Sequence, residues 1–292
     1  MTKLRISIVQ YLNTAPLVWG FTNGPLQGKY ELSFTVPSQC AEELRTGAAD
    51  IAIIPAIEYQ RIADLVILPD ISIASKKQVR SLLIVAKKPI ERAKSFALDL
   101  SSRSTQALTR ILCAEKWKTA PQFFEAPPDL GEMLQRADAA LLIGDPALRV
   151  SLGIEKDSWP GAEGQTVCHA ATLGIASSEL LYVYDVVGEW RGLTGLPAVL
   201  AVWAARRDVA TPEVTADFSP PATSGCRASR RSALMPRATS NCLRGRSSPT
   251  CGTISTSPLT QKTAAAWSCA SIGPKNSASS RGRNHSSGLL TG

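Results

Sequence analysis

The chain has 292 residues, a length that predicts one large or two medium-sized domains with a sizeable core. Lysine and arginine outnumber aspartate and glutamate by 32 to 24, yet residues 1–210 are neutral and residues 211–292 carry the whole excess of +8. The folded part is therefore not expected to bind nucleic acid. Because no apolar run reaches the length of a signal peptide or a membrane span, we expect a cytoplasmic protein with no membrane partner.

The segment from Ser219 onward has the composition of a chain that does not fold. Serine, threonine, arginine, alanine, proline and glycine dominate it, and its few aliphatic residues follow neither the helical nor the strand period. Three interpretations compete: a basic arm that binds nucleic acid, a low-complexity linker, and out-of-frame translation of a GC-rich gene. Runs such as 227–232 and 277–283, rich in arginine, serine and alanine, favour the frameshift.

Four of the seven cysteines lie in this tail, without the regular spacing or the histidine partners of a zinc module. We therefore predict no metal site. The other three, which precede the tail, are expected to be thiols rather than members of a disulfide set: Cys40, Cys113 and Cys168.

The first predicted elements are a strand at 4–9 and the loop 11–17 that follows it. In this loop Asn13 and Thr14 precede Pro16, which is well tolerated in the first turn of a helix. Two interpretations stay open: the polar pair caps a helix, or the loop forms one wall of a ligand site.

The remaining elements alternate between strands and helices as far as about residue 207. Strands are predicted at 31–36, 50–54, 65–68, 71–74, 79–86, 95–98, 122–126, 139–143 and 199–204. Helices are predicted at 39–46 (capped by Ser38 and ended by Gly47), at 56–62 and 107–117, after the capping pair Asp129 and Glu132, and after Pro146. This alternation predicts an α/β protein with mainly parallel sheets.

Small polar residues lie at the ends of several of these strands, at Asn13, Ser81, 101–105 and Asp145. In open α/β sheets ligands bind at the carboxyl ends of the strands. A helix that opens with Ser-Ser-Arg-Ser-Thr suits a carboxylate, although simple capping is the alternative. No glycine-rich dinucleotide or phosphate loop follows any strand, so nucleotides are poor candidates for the ligand.

Six motifs carry a resemblance to a known family, and they occur in this order: YLNTAPL at 11–17, IPAIEYQR at 54–61, VRSLL at 79–83, DLSSRS at 99–104, LIGDPAL at 142–148 and WRGLTGLP at 190–197. Together they resemble the chorismate dehydratase family of the futalosine pathway to menaquinone. The resemblance implies a type II periplasmic-binding-protein-like fold, with two α/β lobes around a cleft. Residues 1–80 and about 180–210 would form an incomplete first lobe and residues 81–180 the second, leaving 211–292 as a non-native or disordered tail.

The chain departs from the family pattern at several places. The resemblance ends near residue 210, where family members continue with helices that complete the first lobe. Residues 154–178 form a longer, glycine-rich stretch that we interpret as a surface insertion. Ala56 stands where serine is common, and residues 76–78 replace a more usual Gly-Pro. One hydroxyl contact of the family site is therefore expected to be missing.

The implied activity is that of a hydro-lyase, which removes water from chorismate to give 3-[(1-carboxyvinyl)oxy]benzoate. It implies no metal and no cofactor, a small dicarboxylate as the partner, and a monomer or weak homodimer. By resemblance, Asn13 orients the ring or its leaving hydroxyl, and Ser81 hydrogen-bonds a carboxylate or that hydroxyl. The implied substrate-binding residues are Thr14, Ser102, Ser104, Thr105 and Asp145. For Asp145 a cap of the following helix is the alternative, and Arg80 is expected to form a structural ion pair.

The sequence points to no general base. His169 falls in the presumed insertion and is interpreted as a surface residue, and Glu58 has a solvated or capping role as its alternative. A carboxylate of the substrate is therefore one candidate for the proton acceptor. Two other functions stay open: the naphthoate-forming enzyme of the same pathway, and a non-catalytic protein that binds a small anion.

Overall fold

The computed structural model describes residues 2–155, 158–160 and 165–218, and the predicted tail from Ser219 lies outside the described residues. The strands in these ranges are β1 Arg5–Val9, β2 Glu31–Thr35, β3 Ile51–Pro55, β4 Leu65–Ser75, β5 Leu82–Ala86, β6 Ser95–Asp99, β7 Gln122–Ala126, β8 Ala139–Ile143, β9 Ser158–Pro160, β10 Thr166–His169, β11 Leu180–Asp185 and β12 Ala198–Arg206. The α-helices are α1 Ala15–Thr22, α2 Pro37–Thr46, α3 Ser104–Ile111, α4 Leu130–Arg136, α5 Gly144–Ile154, α6 Val186–Thr194 and α7 Pro212–Asp217.

Two sheets divide these strands into two lobes. The sheet of the first lobe has the order β2-β1-β3-β12-β4, and that of the second has the order β7-β6-β8-β5-β11-β10-β9. The chain passes from the first sheet to the second between β4 and β5, and returns through α6 between β11 and β12. We predicted the return near residue 180; β11 is still hydrogen-bonded in the second sheet, and β12 is the strand that lies in the first.

The sheets are mixed, so the prediction of mainly parallel sheets was wrong. β1 pairs in parallel with β2 and β3, and β6 pairs in parallel with β7 and β8. β5, β11 and β12 run antiparallel to their neighbours. The period of apolar residues reports burial but not strand direction, because direction is set by how the chain crosses between the lobes.

The central strands are buried on both faces, as their apolar composition requires. Every residue of β3, β5 and β8 is buried, which is the pattern of strands covered by helices on both sides. β5 lies in the middle of the second sheet, which confirms the central position predicted for the 79–86 run. The two strands predicted at 65–68 and 71–74 form one strand, β4, interrupted at Asp70 by a left-handed backbone conformation (φ 70°).

Local sequence predicts some of the helix ends correctly and others not. Gly47 ends α2 in the left-handed conformation (φ 75°), and the Asp129 side chain accepts a hydrogen bond from the Glu132 N–H at the start of α4 (2.9 Å), so both predictions are confirmed. Ser38 was wrongly predicted to cap α2. The helix begins two residues earlier than predicted, at Pro37, and Val36 occupies the cap position.

Helix α7 packs on the first lobe, inside the range that we assigned to the tail. Phe218, directly after this helix, is buried against Phe21 and Trp203, with ring centroids 4.9 Å apart in both pairs. The Tyr30 hydroxyl donates to Asp217 of the same helix. The predicted boundary at 211 therefore falls within packed structure.

The predicted surface insertion at 154–178 is in part a buried element of the second sheet, which corrects that prediction. β10 pairs antiparallel with both β11 and β9, and Val167 and Cys168 are buried. His169 at its end is exposed, as predicted. Cys40, Cys113 and Cys168 are buried thiols, and within the described residues no disulfide joins them.

Candidate functional site

A cavity of about 950 Å³ lies between the two lobes and is lined by residues of both. The first lobe contributes the segment after β1 and the end of β3. The second contributes the segments after β6 and β8, and the connection from β4 to β5 forms a further wall. The volume is within the range of small-molecule sites, and the position at strand carboxyl ends is the one that the sequence predicted.

Most of the predicted site residues are brought together here, although more than 130 positions separate the first from the last. The cavity is lined by Asn13, Ser81, Ser102, Ser104, Thr105 and Asp145. Thr14 is buried and does not belong to the lining; its hydroxyl donates to Asn13 Oδ1 at 3.4 Å. Thr14 therefore has contact with the site only through Asn13, and not the direct role that the resemblance implied.

The loop after β1 is a wall of the cavity rather than a cap. Leu12–Thr14 forms one turn of 3-10 helix that leads into α1, and neither helix start has a side-chain capping hydrogen bond. Asn13 is exposed toward the cavity that it lines. Of the two interpretations that the sequence left open, the geometry supports the ligand wall.

Helix α3 begins at the cavity without a side-chain cap. Arg103 occupies the cap position, and no side chain there accepts a hydrogen bond from the first turn. The first N–H groups of a helix have no partner within the helix, and the helix dipole makes this end attractive to anions. The structure thus favours the anion site over simple capping for the 101–105 motif.

The hydroxyls around this helix end differ in what they can offer to a ligand. Ser104 Oγ donates to the Leu200 carbonyl at 2.8 Å and accepts from the Ile57 N–H at 3.4 Å, so its proton is used to join α3 to the first lobe. Within the described part of the chain, the hydroxyls of Ser102 and Thr105 have no such partner. These two are therefore the hydroxyls available to a carboxylate.

Asp145 and Ser81 meet at the start of α5, which also lines the cavity. The Gly144 N–H donates to the Ser81 carbonyl at 2.9 Å, which holds the start of α5 beside Ser81. Asp145 lies in the first turn of α5, where Ile143 is the cap residue and no side-chain capping bond forms. The alternative role of Asp145 as a cap is therefore not seen, and its carboxylate lines the cavity.

Four cations also line the cavity: Lys77, Arg80, Arg103 and Arg191. Arg80 pairs with Glu155 and donates from Nε to Ser151 Oγ at 3.2 Å, which confirms its predicted structural ion pair. Arg103 pairs with Glu125 at 2.7 Å. Our sequence reasoning gave no role to Lys77, Arg103 or Arg191, and the signal for Arg191 was its place in the 190–197 motif.

Neither of the residues that were considered as a general base lines the cavity. Glu58 is buried and forms ion pairs with Arg45 and Arg61, the second at 2.9 Å. His169 lies on β10. Glu58 is therefore part of a structural charge cluster. It is neither the general base nor the solvated residue that was considered from the sequence. Within the described ranges, no group of three or more His, Cys, Asp or Glu is placed to hold a metal ion.

The two lobes, the mixed sheets and the cleft at the strand ends define a two-lobed α/β protein of the type II periplasmic-binding-protein-like fold, as predicted. Residues 4–235 match the family model described as menaquinone biosynthesis, and the chain belongs to this family. The match extends beyond residue 210, where we expected the resemblance to end. No helix in the described ranges is both long and apolar enough to cross a membrane.

Individual relatives agree with this assignment. The chain is 28% identical over 209 residues to a chorismate dehydratase of Thermus thermophilus, an alignment that covers 71% of this chain and 72% of that protein. Among solved structures, protein AF1704 of Archaeoglobus fulgidus is similar with a TM-score of 0.57 at 17% identity, covering 80% of this chain and 78% of that one. YhfZ of Shigella flexneri has a TM-score of 0.50 at 14% identity, covering 82% and 94%. The two structures bear on the fold alone.

Proposed function

We propose that the chain is a cytoplasmic carbon–oxygen lyase that dehydrates chorismate to 3-[(1-carboxyvinyl)oxy]benzoate in the futalosine route to menaquinone. The observation that carries this proposal is the convergence of Asn13, Ser81, Ser102 and Thr105 on one cavity between the lobes, beside the uncapped start of α3. The similarity to a chorismate dehydratase supports the choice of substrate.

Chorismate has two carboxylates and one ring hydroxyl, and the cavity offers hydrogen-bonding groups for a carboxylate and for a hydroxyl. One carboxylate binds at the start of α3, where the backbone N–H groups, Ser102 and Thr105 are hydrogen-bond donors. Lys77 lies in the same cavity and adds positive charge. With Asn13 of the first lobe lining the same cavity, the substrate is in contact with both lobes.

The reaction removes the ring hydroxyl and the proton of the neighbouring ring carbon. The electron pair of the broken C–H bond completes the aromatic ring, the C–O bond breaks, and the hydroxyl leaves as water with that proton. Aromatisation supplies the driving force, and the step needs no change of oxidation state in the protein. Asn13 orients the ring and Ser81 hydrogen-bonds the substrate, so their contribution is placement and stabilisation of developing charge.

Turnover of chorismate by the unaltered 292-residue chain tests the proposal. The diene absorbance of chorismate is expected to fall as a product lighter by one water appears in the mass spectrum. Asn13→Ala and Ser81→Ala are each expected to lower kcat by about 100-fold, the usual loss when one positioned hydrogen-bonding group is removed from a transition state.

Two variants outside the cavity serve as matched controls. Asn23→Ala removes an exposed amide at the far end of α1, and Ser33→Ala removes an exposed hydroxyl from β2. Both are expected to keep wild-type turnover. Near-wild-type kcat in Asn13→Ala and Ser81→Ala would remove these residues from the mechanism. Binding of chorismate without any turnover would instead indicate the small-anion-binding alternative. If chorismate is neither converted nor bound, the proposal is overturned.

A further inference from the structure

A chain of three side chains leads from the cavity into the interior of the second lobe. Tyr11, which lines the cavity from the first lobe, has its hydroxyl 3.0 Å from Ser101 Oγ. Ser101 Oγ is in turn 2.6 Å from Oδ1 of Asp99, a carboxyl with no exposed surface at the end of β6. None of these three residues has a role in the mechanism above.

The direction of each hydrogen bond in this chain follows from the groups around Asp99. Its carboxylate accepts from the Ser101 N–H (2.9 Å), the Ser101 hydroxyl (2.6 Å) and the Ile143 N–H (3.1 Å). Burial raises the pKa of Asp99, and these three hydrogen bonds oppose the rise. A carboxylate held by three donors acts as an acceptor only, so the single hydroxyl proton of Ser101 is directed to Asp99.

The same reasoning fixes the direction of the hydrogen bond between Tyr11 and Ser101. Since Ser101 has no second proton, Tyr11 must be the donor in the bond between them. The proton of Tyr11 is then directed away from the cavity. What the Tyr11 oxygen retains for a bound molecule is a lone pair, so it can accept a hydrogen bond but cannot donate one.

The surroundings of Tyr11 agree with an acceptor site. Its ring packs on the backbone of Gly144, and Asp145 follows directly in the cavity lining. Burial is the main cause that raises the pKa of Tyr11, and the negative charges of Asp99 and Asp145 add to it, with Cys40 as a further contribution. An anion is disfavoured directly beside the Tyr11 oxygen and Asp145, whereas the N–H groups and hydroxyls at the start of α3 attract one. The cavity therefore offers a hydrogen-bond acceptor at Tyr11 and hydrogen-bond donors at α3.

We propose that Tyr11 accepts a hydrogen bond from the ring hydroxyl of the substrate, and so sets which way round the substrate binds. The inference rests on the proposed function, in which the ligand is chorismate and this hydroxyl is the group that is lost. A hydroxyl can donate to Tyr11, while a carboxylate placed there would face a lone pair and the charge of Asp145. Tyr11 thus specifies the orientation with the hydroxyl at Tyr11 and a carboxylate at α3.

The reaction product gives a direct test, because it keeps both carboxylates but lacks the ring hydroxyl. In Tyr11→Phe the ring remains on Gly144 and only the hydroxyl is lost. KM for chorismate is expected to rise by about 2- to 10-fold, the usual value of one neutral hydrogen bond. The Kd of 3-[(1-carboxyvinyl)oxy]benzoate, measured by calorimetry, is expected to stay unchanged. Tyr59→Phe, a half-exposed tyrosine outside the cavity, is the matched control and is expected to change neither value.

A second variant tests the chain behind Tyr11. Ser101→Ala keeps the phenol but frees its proton, so Tyr11 can then donate as well as accept. KM for chorismate is expected to change little, whereas 3-[(1-carboxyvinyl)oxy]benzoate is expected to bind more tightly because a carboxylate is then accepted at Tyr11; an unchanged Kd of this product would contradict the direction assigned to the Tyr11 hydrogen bond. Circular dichroism and thermal denaturation establish that both variants are folded.

Three outcomes would overturn the inference. Equal weakening of both ligands in Tyr11→Phe would show a structural role only. An unchanged KM for chorismate would show that the hydroxyl binds elsewhere. Failure of the unaltered protein to bind or convert chorismate would overturn the proposed function and this inference with it. This failure is seen with the unaltered protein, before any variant is tested, so it is distinguishable from failure of the inference alone.

Discussion

Gly144 is a residue of the second lobe against which the Tyr11 ring of the first lobe packs. Its backbone is in the left-handed region (φ 61°), and a β-carbon at this position would lie 2.7 Å from Cε2 of Tyr11. Its N–H also donates to the Ser81 carbonyl. The absence of a side chain therefore lets the Tyr11 ring lie on the strand end beside Ser81 and Asp145.

We expect Gly144→Ala to impair the site and not only the stability. Alanine in the left-handed region costs about 1 to 2 kcal/mol of folding free energy, and at this position it also displaces Tyr11. Displacement of the loop after β1 is expected to lower kcat/KM for chorismate by at least about 10-fold, because small misplacements of positioning groups cost one to two orders of magnitude. Urea denaturation and steady-state kinetics measure the two effects.

Gly174→Ala separates the backbone effect from the clash. Gly174 is also left-handed (φ 74°), but no atom lies within 4 Å of where its β-carbon would be. This variant is expected to lose a similar amount of stability from the backbone and to keep wild-type turnover. Equal kinetic losses in the two variants would contradict the role assigned to Gly144.

At the scale of elements, the two connections between the lobes are held together by one carboxylate. Asp185, the last residue of β11, accepts from the Gly188 N–H at the start of α6 (2.6 Å) and from the Val79 N–H in the connection between β4 and β5 (2.5 Å). Burial raises the pKa of Asp185 to about 6, although hydrogen bonds from Gly188, Val79 and Val187 oppose the rise.

This pKa predicts a defined dependence of stability on pH. Because the folded-state pKa of about 6 exceeds the ordinary value of 3.8, the folded state favours the protonated carboxyl. The stabilising contribution is fully present below about pH 3.8 and is lost as the pH rises through 6. Relative to Asp185→Asn, the free energy of unfolding of the wild type is expected to fall by up to about 3 kcal/mol across this range.

Urea denaturation between pH 4 and pH 7 measures this difference. Asp208→Asn, which removes an exposed carboxylate paired with Arg206, controls for the loss of one negative charge. A pH dependence in Asp185→Asn as steep as that of the wild type would show that Asp185 does not cause it.

At the scale of the whole molecule, a ligand in the cleft contacts both lobes and should stabilise them together. At a concentration 100 times its Kd, 3-[(1-carboxyvinyl)oxy]benzoate is expected to add about 2.7 kcal/mol to the free energy of unfolding. For a folded region of this length, that change in free energy corresponds to a rise in Tm of about 5 to 10 °C. Thermal denaturation measures it, with benzoate, which has one carboxylate and cannot contact both lobes, as the control. At equal concentrations benzoate is expected to bind more weakly and to give the smaller rise in Tm, and an equal rise at equal concentrations would show that the ligand does not bridge the cleft.

Much of the site could be found from local sequence. The strands before Asn13 and Asp145 were recognisable from buried apolar runs, and small polar residues after such runs lie at the carboxyl edge of a sheet whatever the strand order. Ser81 instead precedes β5, and it reaches the same edge because β5 runs antiparallel to β8. The motifs around them also identified the family. These features depend on neighbours in the chain, so the sequence alone was sufficient to predict them.

The remaining features depend on groups that are distant in sequence. Ser104 donates a hydrogen bond to the carbonyl of Leu200, 96 residues away, and Tyr11 forms a hydrogen bond with Ser101, 90 residues away. Which hydroxyl is available to a ligand is thus decided by the backbone or side chain that folding brings opposite it. The antiparallel direction of β5, β11 and β12 likewise follows from the crossings between the lobes. Periodicity encodes burial and secondary structure; hydrogen-bond partners and strand direction are set when the lobes assemble.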